Sequence, residues 1–68
     1  MKKPQNNYTP KAWVAVEEDN TEVICDSNPY RFEHYWDCFG HTIDLPQGSI
    51  KKLIGRELTW SDEPVELK

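Results

Sequence analysis

Nowhere does this 68-residue chain carry an apolar run near the ~20 residues that a membrane-spanning helix needs. Its opening residues, Met1-Lys2-Lys3-Pro4-Gln5-Asn6-Asn7, lack the apolar stretch of a secretory signal. These absences lead us to expect a soluble, intracellular protein of the cytoplasm, with no membrane partner. The sequon Asn7-Tyr8-Thr9 would then meet no glycosylation machinery. Positive charge is also short. Eight Lys and Arg against twelve Asp and Glu leave a formal charge of −4, the wrong sign for a protein whose main partner is duplex nucleic acid. There is no internal repeat, no low-complexity segment, and no closely spaced cysteine pair of the kind that forms a zinc knuckle.

Aliphatic side chains are scarce too. Hydrophobic residues make up 37% of a chain so short that a single core is barely sufficient without a metal, a disulfide or a partner. Three Trp, three Tyr and two Phe compensate, since each can bury on the order of 150 to 250 Å². A folded domain is therefore expected over residues 11–68. Residues 1–10 are polar, hold Pro4 and Pro10 and show no periodicity, and they read as a flexible tail.

From Lys11 the pattern alternates, and Val14, Val16 and Trp13 favour an extended chain. The polar stretch Glu17–Glu22 closes a hairpin, and Thr21–Asp26 returns as its second strand. Pro29 interrupts that strand, having no amide proton for a ladder. Residues 30–38 can then be read two ways. As one strand, Tyr30, Phe32, His34, Trp36 and Cys38 share a face; as a helix, Asn28 is the N-cap and Pro29 the first residue. The near-complete alternation favours the strand. His41–Leu45 is a further strand stopped by Pro46. Ser49 then caps a short helix running to Gly55, with Ile50, Leu53 and Ile54 as an inward stripe. Leu58–Trp60 reads as a strand, Ser61–Pro64 as a turn and Val65–Leu67 as an edge strand.

That order implies an α+β fold: a small, curved antiparallel sheet of four to six strands with one short helix near residues 49–55. A small SH3-like barrel is one concrete solution, and a zinc-ribbon-like pair of hairpins is another.

All the Cys and His residues, Cys25, His34, Cys38 and His41, fall in one stretch with the spacing C-x8-H-x3-C-x2-H. Two thiolates and two imidazoles suit tetrahedral zinc, the one cofactor the sequence suggests. On a continuous strand, however, His34 and Cys38 would stand about 13 Å apart, so the metal reading needs a helix or a sharp bend there. One alternative is a disulfide between Cys25 and Cys38, which conflicts with an intracellular protein, and the other, which the sequence favours, is that both cysteines act as small buried hydrophobes. The carboxylates of Glu17, Glu18, Asp19 and Glu22, and of Asp62, Glu63 and Glu66, occupy turns and edges, where charge is normally solvated. Neither group matches a catalytic or calcium-binding pattern, and an enzyme is not expected.

Strand one is apolar on both sides, so either both faces of the sheet are covered or an apolar patch is exposed. Trp13, Tyr30, Tyr35 and Phe39 are the candidate residues of such a patch. The preferred reading is a small non-enzymatic module, acting as an inhibitor or regulator, that binds a protein partner or a second copy of itself through aromatic and acidic surface. One version has the acids converging on a single face that mimics nucleic acid. Two alternatives differ in class: a zinc-stabilised binding module using the Cys/His set, and a weak single-strand nucleic-acid binder using Tyr30, Tyr35, Lys51, Lys52 and Arg56.

Overall fold

The computed structural model describes residues 11–67; the expected tail over residues 1–10 lies outside them. Six strands and one helix follow in order: β1 Ala12–Val16, β2 Glu22–Cys25, β3 Tyr30–Phe32, β4 Tyr35–Asp37, β5 Thr42–Leu45, α1 Ser49–Ile54 and β6 Val65–Leu67. All strand pairings are antiparallel, as the α+β reading expects. They form a four-stranded sheet in the order β5-β2-β1-β6 and a separate hairpin, β3-β4. Among the described residues β5 and β6 are opposite edges of the larger sheet, with no pairing between them that would close the barrel considered above.

Register assigns the side chains of β1 to two faces. Val14 lies opposite Ile24 and Val65, while Trp13 and Ala15 lie opposite Cys25 and Val23. Over Val14–Val16 both faces are covered, while Ile43 of β5, farther out on the Val14 face, is left exposed. On one face, buried Val14 and Val16 meet Ile50 of α1 and Leu58. On the other, Ala15, Val23 and Cys25 meet Trp36, with Cys38 and Trp60 packed alongside. The sheet is thus a thin partition between two small clusters.

Leu58–Trp60 is not the expected strand. Asp62 accepts hydrogen bonds from the amide and hydroxyl of Thr59 at 2.7 and 3.2 Å and folds the segment into a turn. The apolar alternation still has a use, because Leu58 joins one cluster and Trp60 the other.

The helix also departs from expectation at its start. Gly48, at φ 92°, occupies the N-cap, and the Ser49 hydroxyl donates instead to the Pro46 carbonyl at 2.6 Å. The capping acceptor comes from β2: the Glu22 carboxylate takes the amides of Gly48 and Ile50, both at 2.8 Å. A helix this short leaves most of its first amides without internal partners, and Glu22 satisfies one of them while fixing the helix to the sheet. Glu22→Ala is expected to cost about 1 to 2 kcal/mol, the upper range for loss of a cap; equilibrium denaturation measures it, and a loss under a few tenths would show that water replaces the carboxylate freely. At the other end Gly55, at φ 84°, donates its amide to the Lys51 carbonyl and stops the helix as expected.

The inward stripe is narrower than its spacing suggests. Ile50 is buried and Ile54 packs against the cluster, but Leu53 is half exposed. Val14, Val16, Leu45, Leu58 and Val65 already fill that face, and six helical residues cover little of it.

Candidate interaction surface

Residues 30–38 are neither the single strand nor the helix. They form a hairpin that reverses at Glu33-His34, with Glu33 at φ 54°. Reversal changes the parity beyond the turn: Arg31 pairs with Trp36 on the inner side, and Tyr30–Asp37 and Phe32–Tyr35 pair on the outer side. The physical cause is the indole of Trp36. It is 3% exposed, it donates to the Val16 carbonyl at 2.8 Å, and it meets Trp60 edge-on at 5.6 Å. Arg31 follows it inward, its guanidinium 4.5 Å from the Trp36 ring and 4.7 Å from that of Trp60, with an N–H donated to the Trp60 carbonyl at 2.6 Å. This cation is therefore part of the packing.

The outer side is left with aromatics. Phe32 and Tyr35 meet edge to face at 5.7 Å, and Tyr30 and Phe39 lie 6.3 Å apart. All four are exposed, Phe39 at 95%. The Tyr30 hydroxyl donates to Asp37 at 3.3 Å, and the charge of that carboxylate raises the phenol's pKa. Of the expected patch residues, the hairpin thus gathers Tyr30, Tyr35 and Phe39. Trp13 is half-buried on β1, opposite Cys25. Phe32 was not among the expected patch residues, and a continuous strand places both it and Tyr30 with Trp36. Only the reversal at Glu33-His34 separates these two from Trp36.

The Cys and His residues divide. His34, at the hairpin turn, has Nδ1 2.6 Å from Glu18 of the β1–β2 turn. The others lie around the β4–β5 loop. There Asp26 accepts the His41 amide at 2.8 Å and contacts its Nδ1 at 3.2 Å, and the first of these bonds is the main reason its carboxyl pKa is lowered. Thr42 Oγ1 stands 3.3 Å from Cys38 Sγ and 3.7 Å from Cys25 Sγ. Burial pushes the Cys25 thiol up to about 11. Among the described residues no three His, Cys, Asp or Glu side chains are placed to share a metal ion.

Most of the acids have internal donors. Glu22 caps α1, Glu18 faces His34, Asp19 accepts the Thr21 amide at 3.0 Å, Asp62 holds Thr59, and Glu63 reaches Arg31 at 4.0 Å. Register brings the turn before β6 to the end of β1 where the β1–β2 turn also lies, and Glu18, Asp19 and Glu63 stay exposed while holding these partners. Lys51 and Lys52 project from α1 on one side of the sheet, while Tyr30 and Tyr35 sit on the hairpin that covers the other.

Glu17 is the acid under greatest internal opposition. Burial raises its pKa, Asp19 and Asp44 add to the rise, and the Trp36 amide at 3.4 Å offsets part of it. At low pH the group is protonated in both folded and unfolded chains and contributes nothing. As pH rises the unfolded chain loses its proton first, so stability declines from the ordinary carboxylate range up to the raised folded value. Glu17→Gln, which keeps an acceptor for Trp36, is expected to raise the Tm at pH 7 and leave it nearly unchanged at about pH 3. Equal shifts at both would rule out this linkage.

No family model, curated protein or solved structure matches the chain.

Proposed function

We propose that this protein is a small non-enzymatic interaction module that binds a protein partner through the outer face of the β3–β4 hairpin. One observation carries the reading: Tyr30, Phe32, Tyr35 and Phe39 stand together on that face and take no part in either core cluster. A chain poor in apolar residues leaves four aromatics in water on one short hairpin, and contiguous aromatic surface of this kind is what buried interface centres are made of. Glu33 and Asp37 edge the patch, and the net charge is negative. The complementary partner is a protein surface with an apolar depression bordered by basic side chains.

The patch can be tested without unfolding the protein. Phe39 is almost wholly exposed, so Phe39→Ser is expected to change stability by less than about 0.5 kcal/mol. Immobilised wild type and the Phe32→Ser/Phe39→Ser double variant are compared for proteins retained from cells of the source, and each retained protein is purified and titrated. A partner that binds the wild type and binds the folded double variant at least tenfold more weakly is the expected result. Equal binding by both would remove the hairpin face from the interface.

A further inference from the structure

Cys25 of β2 and Cys38, just beyond β4, pack in one cluster with Trp36 of the hairpin, and the loop between β4 and β5 is built to hold them there. Asp26, next to Cys25, binds the amide of His41, and Ser27 accepts the amide of Gly40 at 3.3 Å. Gly40 passes so close to Asp26 that a Cβ there would collide with the carboxylate. The loop is thereby anchored to the residues that follow β2, and Cys38, at its start, is brought onto Cys25. One hydroxyl, that of Thr42, lies within reach of both sulfurs, and Cys38 packs against the cluster that holds Cys25. Both cysteines are free.

Their surroundings differ. Cys25 is 1% exposed against Val23 and Trp36, whereas Cys38 is only partly covered. We propose that the pair is a peroxide-sensitive dithiol, in which Cys38 is oxidised by a hydroperoxide and Cys25 resolves it to an intramolecular disulfide. In the first step the Cys38 sulfur attacks the distal oxygen of the hydroperoxide and the O–O bond breaks. Cys38 becomes a sulfenic acid, and the thiol proton leaves with the other oxygen as an alcohol or, from hydrogen peroxide, as water. In the second step the Cys25 sulfur attacks the Cys38 sulfur, the S–OH bond breaks, and the hydroxyl departs with the Cys25 proton as water. Two thiols lose two electrons and two protons, and the hydroperoxide is reduced. Cys38 follows the last residue of β4 directly, outside any strand, so the loop can supply the movement that a bond needs. The product ties the end of β4 to β2 and staples the hairpin to the sheet. This holds whether or not the hairpin's outer face binds a partner.

The experiment treats reduced, folded protein with hydrogen peroxide, quenches it, alkylates remaining thiols in denaturant, and maps the peptides by mass. Wild type is expected to lose two hydrogens and yield a Cys25–Cys38 cross-linked peptide. Cys25→Ser is expected to accumulate a dimedone-reactive sulfenic acid at Cys38, and Cys38→Ser to give no adduct at Cys25 over the same interval. The proposal is overturned if wild type retains two alkylatable thiols, cross-links only between molecules, oxidises at Cys25 first, or reacts no faster folded than unfolded. Should Cys25→Ser fail to fold, the wild-type map and its comparison with unfolded chain still decide.

Discussion

Trp36→Ala is expected to lower the stability of this protein by about 3 to 5 kcal/mol, the range for deleting a buried large aromatic. Three separate contributions disappear together. The indole is buried against Ala15, Val23 and Cys25; its N–H is the donor to Val16; and Arg31 and Trp60 both rest on its ring. Globular proteins carry roughly 0.05 to 0.15 kcal/mol of stability per residue, so a chain of this length stands to lose most of its folded population. Trp36→Phe separates the contributions. It retains an aromatic ring but leaves the Val16 carbonyl unpaired, and an intermediate loss of about 1 to 3 kcal/mol is expected. Urea denaturation followed by far-ultraviolet circular dichroism measures both. A cost below about 1 kcal/mol for Trp36→Ala would show that the hairpin does not lean on this side chain.

The second large effect contrasts two neighbours on α1. Ile50→Ala is expected to cost about 2 to 5 kcal/mol, because Ile50 is 1% exposed and is the helix residue that meets Val14, Val16 and Leu58. Leu53→Ala removes as large a side chain from the next turn, yet Leu53 is 51% exposed and its loss is expected to stay below about 1 kcal/mol. The same denaturation measurements give both values. Equal costs would mean that the helix lies on the sheet along its full apolar stripe.

That contrast shows where local pattern stops informing. Ile50, Leu53 and Ile54 are equivalent by helical spacing, and what distinguishes them is how much of the sheet face Leu45, Leu58 and Val65 have already filled. The cap of α1 has the same character. Ser49 satisfies every local rule for an N-cap, but Glu22, distant in sequence, holds the amides. Its selection depends on β2 starting beside Gly48, which nothing within a helix-length window records. The β1–β2 hairpin, by contrast, was legible in full, since its turn is closed by neighbours: the Glu17 amide to the Thr21 carbonyl at 2.8 Å, and the Thr21 amide to Asp19.

The candidate surface was legible in part. An exposed aromatic patch was one of two outcomes expected from a first strand apolar on both sides; Tyr30, Tyr35 and Phe39 are exposed, and Trp13 is half-buried. Phe32 and Arg31 were assigned to the wrong sides because a strand of period two and a tight hairpin share the same alternation until the turn. Glu33 and His34 are not the residues that usually mark a two-residue reversal. The reversal is held from outside, by the Glu18 amide donating to the His34 carbonyl at 3.4 Å and by Glu18 facing the His34 ring.

The sequence by itself therefore determined the fold class, the first hairpin, the place of the helix and the edge strand at Val65–Leu67, each of which depends on residues within a few positions of one another. Only the tertiary structure decided which carboxylate caps the helix, which aromatics go in and which stay out, and that Cys25 meets Cys38. Those outcomes rest on competition for a limited apolar area and on partners supplied from other strands. In a chain this poor in aliphatic residues, one indole moving inward sets the facing of every residue around it.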